Sequence, residues 1–109
     1  MPKGKNLGEL EQMVLLAILR LEDDAFGLNI MRELKERANR EVSRGALYAV
    51  LDRLEGKGIV ASRFGDPTPG RGGKPRRYMS VTPVGVETLQ KVRMAWHSLS
   101  EGLGEILGG

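Results

Sequence analysis

The 109-residue chain contains no cysteine. Disulfides and thiolate-bound zinc are therefore excluded, and an intracellular setting is compatible with the composition. It has one histidine, His97, with no second imidazole or thiol to complete a metal site, so a solvated role is expected. Aromatic residues are scarce, at 5%, with a single tryptophan, Trp96. The longest apolar run, Met13 to Leu19, has seven residues, whereas a membrane span needs roughly 20. The opening Met-Pro-Lys-Gly-Lys leads into no signal-type apolar region. A soluble, cytoplasmic chain with no membrane partner is expected. No arrangement of nucleophile, base and acid stands out. Gly70, Gly72 and Gly73 precede a strand, whereas a phosphate-binding loop follows one and opens a helix. Glu22-Asp23-Asp24 is too short and local to cage a cation. Neither an enzyme nor a cofactor or metal is expected.

What is present is positive charge in one place. The formal net charge is +3. Between Arg40 and Arg77 nine basic residues face four acidic ones, a local excess of +5, while the remainder carries −2. A concentrated basic stretch is the electrostatic footprint of a polyanionic partner, although a solvated basic surface looks the same.

Apolar spacing divides the chain into six elements. Gly8 to Leu21 reads as a helix, apolar all round from Met13 to Leu19, which predicts burial on more than one side. So small a monomer has little material to cover such a helix, and a second subunit is implied. Glu22 to Asp24 reads as a turn, with Asp24 as N-cap of a second helix that runs to about Ala38 and stops at Asn39. Ser43 caps a third helix whose inner face is Leu47, Val50, Leu51 and Leu54, ended by Gly56 and Gly58. Ile59 to Phe64 and Arg77 to Thr82 read as strands of a hairpin around a glycine- and proline-rich loop, 65–75. Thr82 caps the last helix, with Pro83 in its first turn.

Three helices, a hairpin and a further helix form the winged helix-turn-helix order. The fold class expected is mainly α (α+β), with residues 1–82 as the DNA-binding part and 83–109 as a C-terminal dimerisation helix, together one compact unit. The third helix suits a major groove about 12 Å wide. Ser43, Arg44, Gly45, Tyr48 and Arg53 fall on its start, sides and outer face. Gly45 and Ala49 allow close approach of the backbone. Arg44 reaches for a base edge or a phosphate, and Tyr48 offers its hydroxyl to a phosphate. Plainer roles exist for two of them: Tyr48 packed against the wing, and Arg53 paired with Asp52 or Glu55. In the loop, Arg71, Lys74, Arg76 and Arg77 follow Asp66 with no further acid. A basic, non-helical tip fits a minor groove or the phosphates alongside it; a merely solubilising loop is the alternative.

Residues 42 to 60, Val-Ser-Arg-Gly-Ala-Leu-Tyr-Ala-Val-Leu-Asp-Arg-Leu-Glu-Gly-Lys-Gly-Ile-Val, resemble the recognition-helix signature of PadR regulators. Residues 72 to 85, Gly-Gly-Lys-Pro-Arg-Arg-Tyr-Met-Ser-Val-Thr-Pro-Val-Gly, resemble that family's wing and the entry to its last helix. Phe26-Gly27 matches an aromatic-glycine pair opening its second helix. Met79 departs from the pattern, since many members carry a second tyrosine there. The resemblance implies a bacterial transcription regulator binding double-stranded DNA. Such proteins are usually repressors and are often released by small aromatic or cationic amphipathic compounds. Short members dimerise by packing a single C-terminal helix against the partner's first helix.

Leu89, Val92, Trp96, Leu99, Leu103 and Ile106 recur at spacings of 3, 4, 3, 4 and 3, a heptad seam that marks them as dimerisation residues of a homodimer. Gly102 and Gly104 each weaken a helix by about 1 kcal/mol against alanine, so this one needs a partner. Trp96 is either part of a closed dimer core or, with Met13, Leu89 and Val92, the lining of a mostly apolar effector cavity between subunits. The residues point to a DNA-binding protein, and the resemblance implies that it is a repressor relieved by a small hydrophobic or aromatic effector. The competing reading is a winged-helix interaction module without DNA binding, for which the acid-free basic wing has no use.

Overall fold

The computed structural model describes residues 6–66, 72 and 74–108. Helix α1 spans Glu9–Leu21, α2 Gly27–Ala38 and α3 Arg44–Gly56. Strands β1, Val60–Phe64, and β2, Arg77–Val81, form an antiparallel pair in which Ser62 faces Met79. Helix α4, Pro83–Ser100, and a one-turn α5, Gly104–Leu107, complete the chain. The element order is the winged helix-turn-helix expected from the sequence.

Each helix start has a local cause. Ser43 Oγ accepts the Ala46 N–H at 3.1 Å and opens α3. Thr82 Oγ1 accepts the Gly85 N–H at 3.0 Å and donates to the Gly58 carbonyl at 2.7 Å, joining the start of α4 to the turn before β1. Gly85 is buried there, and a Cβ on it would collide with the Ile59 carbonyl oxygen. The Gly8 N–H donates to Glu11 Oε1 at 2.8 Å at the head of α1. Glu11 is turned inward to 6% exposure. Lys57 Nζ at 3.3 Å and Arg53 Nε at 3.6 Å supply the charge that a buried carboxylate requires. Burial alone pushes this carboxyl up. The Gly8 N–H, Lys57 and Arg53 outweigh it, and the net effect holds Glu11 below its ordinary value.

The second helix starts later than its sequence suggests. Asp24 is not its cap: it ends a 3-10 turn, Glu22–Asp24, and α2 begins at Gly27 after Phe26 with no side-chain cap. The sheet claims the intervening residues. Ala25 O accepts the Met79 N–H at 2.7 Å, and Phe26 forms an antiparallel bridge with Tyr78, so β2 is flanked on both sides. Asn39, at φ 50°, ends α2 in the left-handed conformation.

One core joins these elements. Leu15 and Ile18 of α1, Ile30 of α2, Leu47, Leu51 and Leu54 of α3, and Ile59 at the strand entry are almost fully buried. Each such side chain contributes about 1.5–3 kcal/mol. Met79 lies in this core from β2, and Leu89 joins it from α4. Leu89, expected in the seam between subunits, thus belongs to the protomer's own interior. The seam also does not continue on one helix. Backbone at Glu101 turns to φ −58°, ψ 132° and Gly102 takes φ 81°, so Leu103 and Ile106 lie beyond a break. A left-handed Gly102, with a second glycine at Gly104, is the physical reason.

Candidate nucleic-acid interface

The apolar face of α3 settles what its other face can do. Leu47, Val50, Leu51 and Leu54 are buried, which turns Ser43, Arg44, Gly45, Ala49 and Arg53 outward as exposed residues. Nothing lies within 4 Å of where a Gly45 Cβ would stand. Among the described residues, therefore, no packing contact calls for glycine there. Tyr48 is half-buried. A Cβ on Gly27 would stand 2.7 Å from its hydroxyl, so Gly27 makes the space in which Tyr48 lies against the start of α2.

The strands place the wing's root beside α3, and an ion-pair network fixes it. Arg77 reaches Asp52 at 3.2 Å and Glu55 at 2.6 Å, and Ser62 Oγ of β1 donates to Glu55 at 2.8 Å. The hydrogen bond from Ser62 and that from Arg77 hold the Glu55 carboxyl below its ordinary value. Arg77, whose side chain is only 18% exposed, is thus engaged inside the chain, unlike the free wing cation expected. Arg53 pairs with Glu11 rather than with Asp52 or Glu55, because Arg77 occupies those two acids. The sequence reading missed Glu11 as a buried acid. Its position, third in a helix that starts at a glycine, is the signal that a capping argument would have used.

Beside this network the cations are free of acids. Among the described residues Arg44, Arg63, Lys74 and Arg76 form no ion pair. Aromatic faces hold three of them instead. The Arg76 guanidinium lies 4.0 Å from the Phe26 ring centre, Arg63 lies 4.5 Å from that of Tyr78, and Arg44 lies 5.9 Å from that of Tyr48. Phe26 and Tyr78 meet edge to face at 5.7 Å. Arg44, Tyr48, Arg76 and Arg77 line one cleft of about 220 Å³ between the starts of α2 and α3 and the first residues of β2. The structure thus brings the recognition helix and the wing root to one cationic face. Lys74 is exposed. Arg71 lies outside the described residues.

The residues expected for dimerisation and effector binding sit on another face. Trp96, Leu99 and Ile106 are between 66% and 80% exposed, Leu103 is also exposed, and Val92 is half-buried. Trp96 and Leu89 share a shallow cleft of about 340 Å³ between α1 and α4 with Gln12, Leu16, Arg93 and His97. Met13 lines a separate groove between α1 and α2 and does not meet Trp96 within the protomer. The wall around Trp96 is more polar than the apolar cavity the sequence suggested, because Arg93 lies one helical turn before it. Among the described residues no cluster of acidic or histidine side chains is placed to hold a metal ion, and no helix is long and apolar enough to cross a membrane.

Comparison with known proteins agrees with this geometry. The model of the transcriptional regulator PadR-like family matches residues 15–91. An uncharacterized protein of Lysinibacillus sphaericus is 33% identical over 96 residues, spanning 86% of this chain and 84% of that protein. A PadR-like transcription factor from Bacteroides fragilis superposes with a TM-score of 0.71 at 30% identity, covering 89% of this chain and 88% of its own. A PadR-family transcriptional regulator from Eggerthella lenta gives 0.67 at 31% identity, covering 91% and 86%.

Proposed function

The chain belongs to the PadR-like transcriptional regulator family, and from that premise we propose that it is a homodimeric repressor that binds double-stranded DNA and is relieved by a small aromatic effector. One observation carries the DNA-binding part. The start of α3 and the root of the wing line one cleft in which Arg44 and Arg76 have no acidic partner among the described residues, and Arg63 on β1 has none either. Cations held on aromatic rings in the absence of acids are available to phosphates. Ser43, Gly45, Tyr48 and Lys74 complete the proposed surface; Arg53 and Arg77 border it, each engaged in an internal ion pair, and Arg71 is the further wing cation proposed from the sequence.

Dimer formation is supported by Trp96, Leu99 and Ile106, which a lone protomer leaves in water. Two-fold pairing brings like residues together, so Trp96, Val92 and Leu99 of two subunits can meet. Trp96 is the anchor proposed for the effector, with Leu89, Val92 and Met13 as further lining. Arg93 beside Trp96 favours neutral or anionic planar compounds over cationic ones.

The experiment is a gel shift at graded salt on the duplex upstream of the chain's own gene. Specific retardation that weakens steeply with salt supports the reading. Equal, weak retardation of all duplexes, or none, favours the interaction-module alternative. Trp96 fluorescence, clean because the chain has one tryptophan, reports effector binding by saturable quenching.

A further inference from the structure

We propose that the cleft between α2, α3 and β2 is a seat for one backbone phosphate per protomer, gripped by Arg76 and Arg44, and that Arg77 beside them is a pin for the wing rather than a DNA contact. The proposal rests on the DNA-binding reading above and divides its cations into two kinds.

The division starts from adjacent residues of identical chemistry. Arg77 has spent its hydrogen-bonding groups on Asp52 at 3.2 Å and Glu55 at 2.6 Å. With two carboxylates against one guanidinium, that trio adds no positive charge to the surface. Arg76 differs in its polar partners. Among the described residues its side chain makes no hydrogen bond and no ion pair, and its Nε is buried without an acceptor. A guanidinium carries five N–H donors, and leaving a desolvated donor unsatisfied is costly. Here the group is desolvated on one side by Phe26, whose ring centre is 4.0 Å away. Phe26 is in turn fixed by the bridge to Tyr78 and the edge-to-face contact with its ring. The guanidinium is thus oriented before any ligand arrives, which lowers the entropic cost of binding.

The space beside it has the character of an anion site. The cleft measures about 220 Å³, several times the roughly 30 Å³ share of one water molecule. Arg44 enters from the first residue of α3 and Tyr48 from one turn later, and no acidic side chain lines the walls. Tyr48 Oη makes no hydrogen bond to a described residue, so it stands as a further donor. Leu28 and Met31 close the α2 side with apolar surface, which strengthens any charge interaction made against it. Two unneutralised guanidiniums and a phenol around an acid-free cleft match a tetrahedral phosphate diester. The cleft's position between recognition helix and wing root places that diester on the strand both elements straddle.

The test uses the full chain and the duplex upstream of its own gene, with a neutral methylphosphonate substituted at one phosphate at a time. For the wild type, one position per half-site is expected to cost about ten- to a hundredfold in affinity, the range of a charge-assisted hydrogen bond. Arg76→Gln is expected to lose a similar factor on unmodified DNA and then to be indifferent to the methylphosphonate at that position. Its salt slope should fall by about 0.9 per protomer engaged. Arg77→Gln is expected to keep the full methylphosphonate penalty there while unfolding at lower denaturant. Millimolar inorganic phosphate serves as a separate arm. If it protects the free protein from unfolding in the wild type but not in Arg76→Gln, and the methylphosphonate effects are absent, the seat takes free phosphate and the DNA assignment is overturned. Arg76→Gln and methylphosphonate penalties that add at every position, or loss of the penalty in Arg77→Gln, also overturn it while leaving the DNA-binding reading intact. A wild-type chain that binds no duplex overturns both.

Discussion

The winged core and the C-terminal tail answer opposite demands. From α1 to the second turn of α4 most large apolar residues turn inward; Leu15, Leu47, Leu51 and Ile59 reach zero exposure, and Leu16, Leu19, Leu28, Phe64 and Val84 are the exposed exceptions. From Met94 to Leu107 they turn outward, with Leu99 and Ile106 at 80%. The first region encloses a core within one chain and leaves Arg44, Arg63 and Arg76 without acidic partners among the described residues. The second leaves its apolar side chains in water, the surface that the proposed dimer would cover. The difference teaches that the same residue type, leucine, is a stability element at 51 and, in the proposed dimer, an association element at 99, and only its surroundings distinguish the two.

Several substitutions break or sharpen that contrast. The largest effect is expected from Leu99→Glu, which puts a carboxylate into the proposed interface at several kcal/mol, on the order of a thousandfold in dimer affinity. Sedimentation should show folded monomers; an unchanged dimer would place the interface elsewhere. Leu47→Ala acts in the opposite region. It should destabilise each protomer by about 2–5 kcal/mol, read as a lower urea midpoint, with no change in association before unfolding begins. Arg77→Gln lies between the two classes, since it removes a largely buried guanidinium whose partners, Asp52 and Glu55, are exposed. A loss of about 1 kcal/mol is expected, with the wing freed from α3 and visible as faster amide exchange in β2.

The acid branch of the stability curve isolates one group of the core. The Glu11 carboxyl titrates below its ordinary value of 4.5 in the folded chain. Its contribution is therefore present above that pH and is lost as pH falls through the lowered folded value. Glu11→Gln should flatten that part of the slope without altering the neutral-to-alkaline branch, as measured by urea midpoints between pH 3 and pH 7. The smallest change in stability is expected from Gly45→Ala. With open space around the added methyl, stability should stay level or rise by up to about 1 kcal/mol, while DNA affinity falls because the α3 backbone no longer approaches as closely. Retained affinity would show that α3 does not press its first turn against DNA.

Much of this was legible in one dimension because the signals are local. Helical spacing revealed the inner face of α3, Ser43 and Thr82 announced their helices as caps, and the Gly/Pro-rich stretch separated two alternating segments. Reading failed where a distant segment decides. Asp24 looks like a cap because it is an acid before a helix, but β2 takes the next two residues as partners. Arg76 and Arg77 are indistinguishable as neighbouring basic residues. Strand alternation sends them to opposite faces, one onto Phe26 and the other onto Asp52 and Glu55. The heptad spacing ran through Leu89 and Ile106 alike, since periodicity records a face and not what covers it.

By itself the sequence determined the order of elements, the buried stripe of each helix and the acid-free run of cations in the wing, because spacing, caps and charge are properties of neighbours along the chain. The tertiary structure alone decided which cations are spent inside and which are free, that Leu89 closes the protomer's own core, and that Phe26 serves β2 as a bridge and Arg76 as a platform. Those outcomes depend on residues 22 to 52 positions apart being brought together, and no local pattern records such a distance.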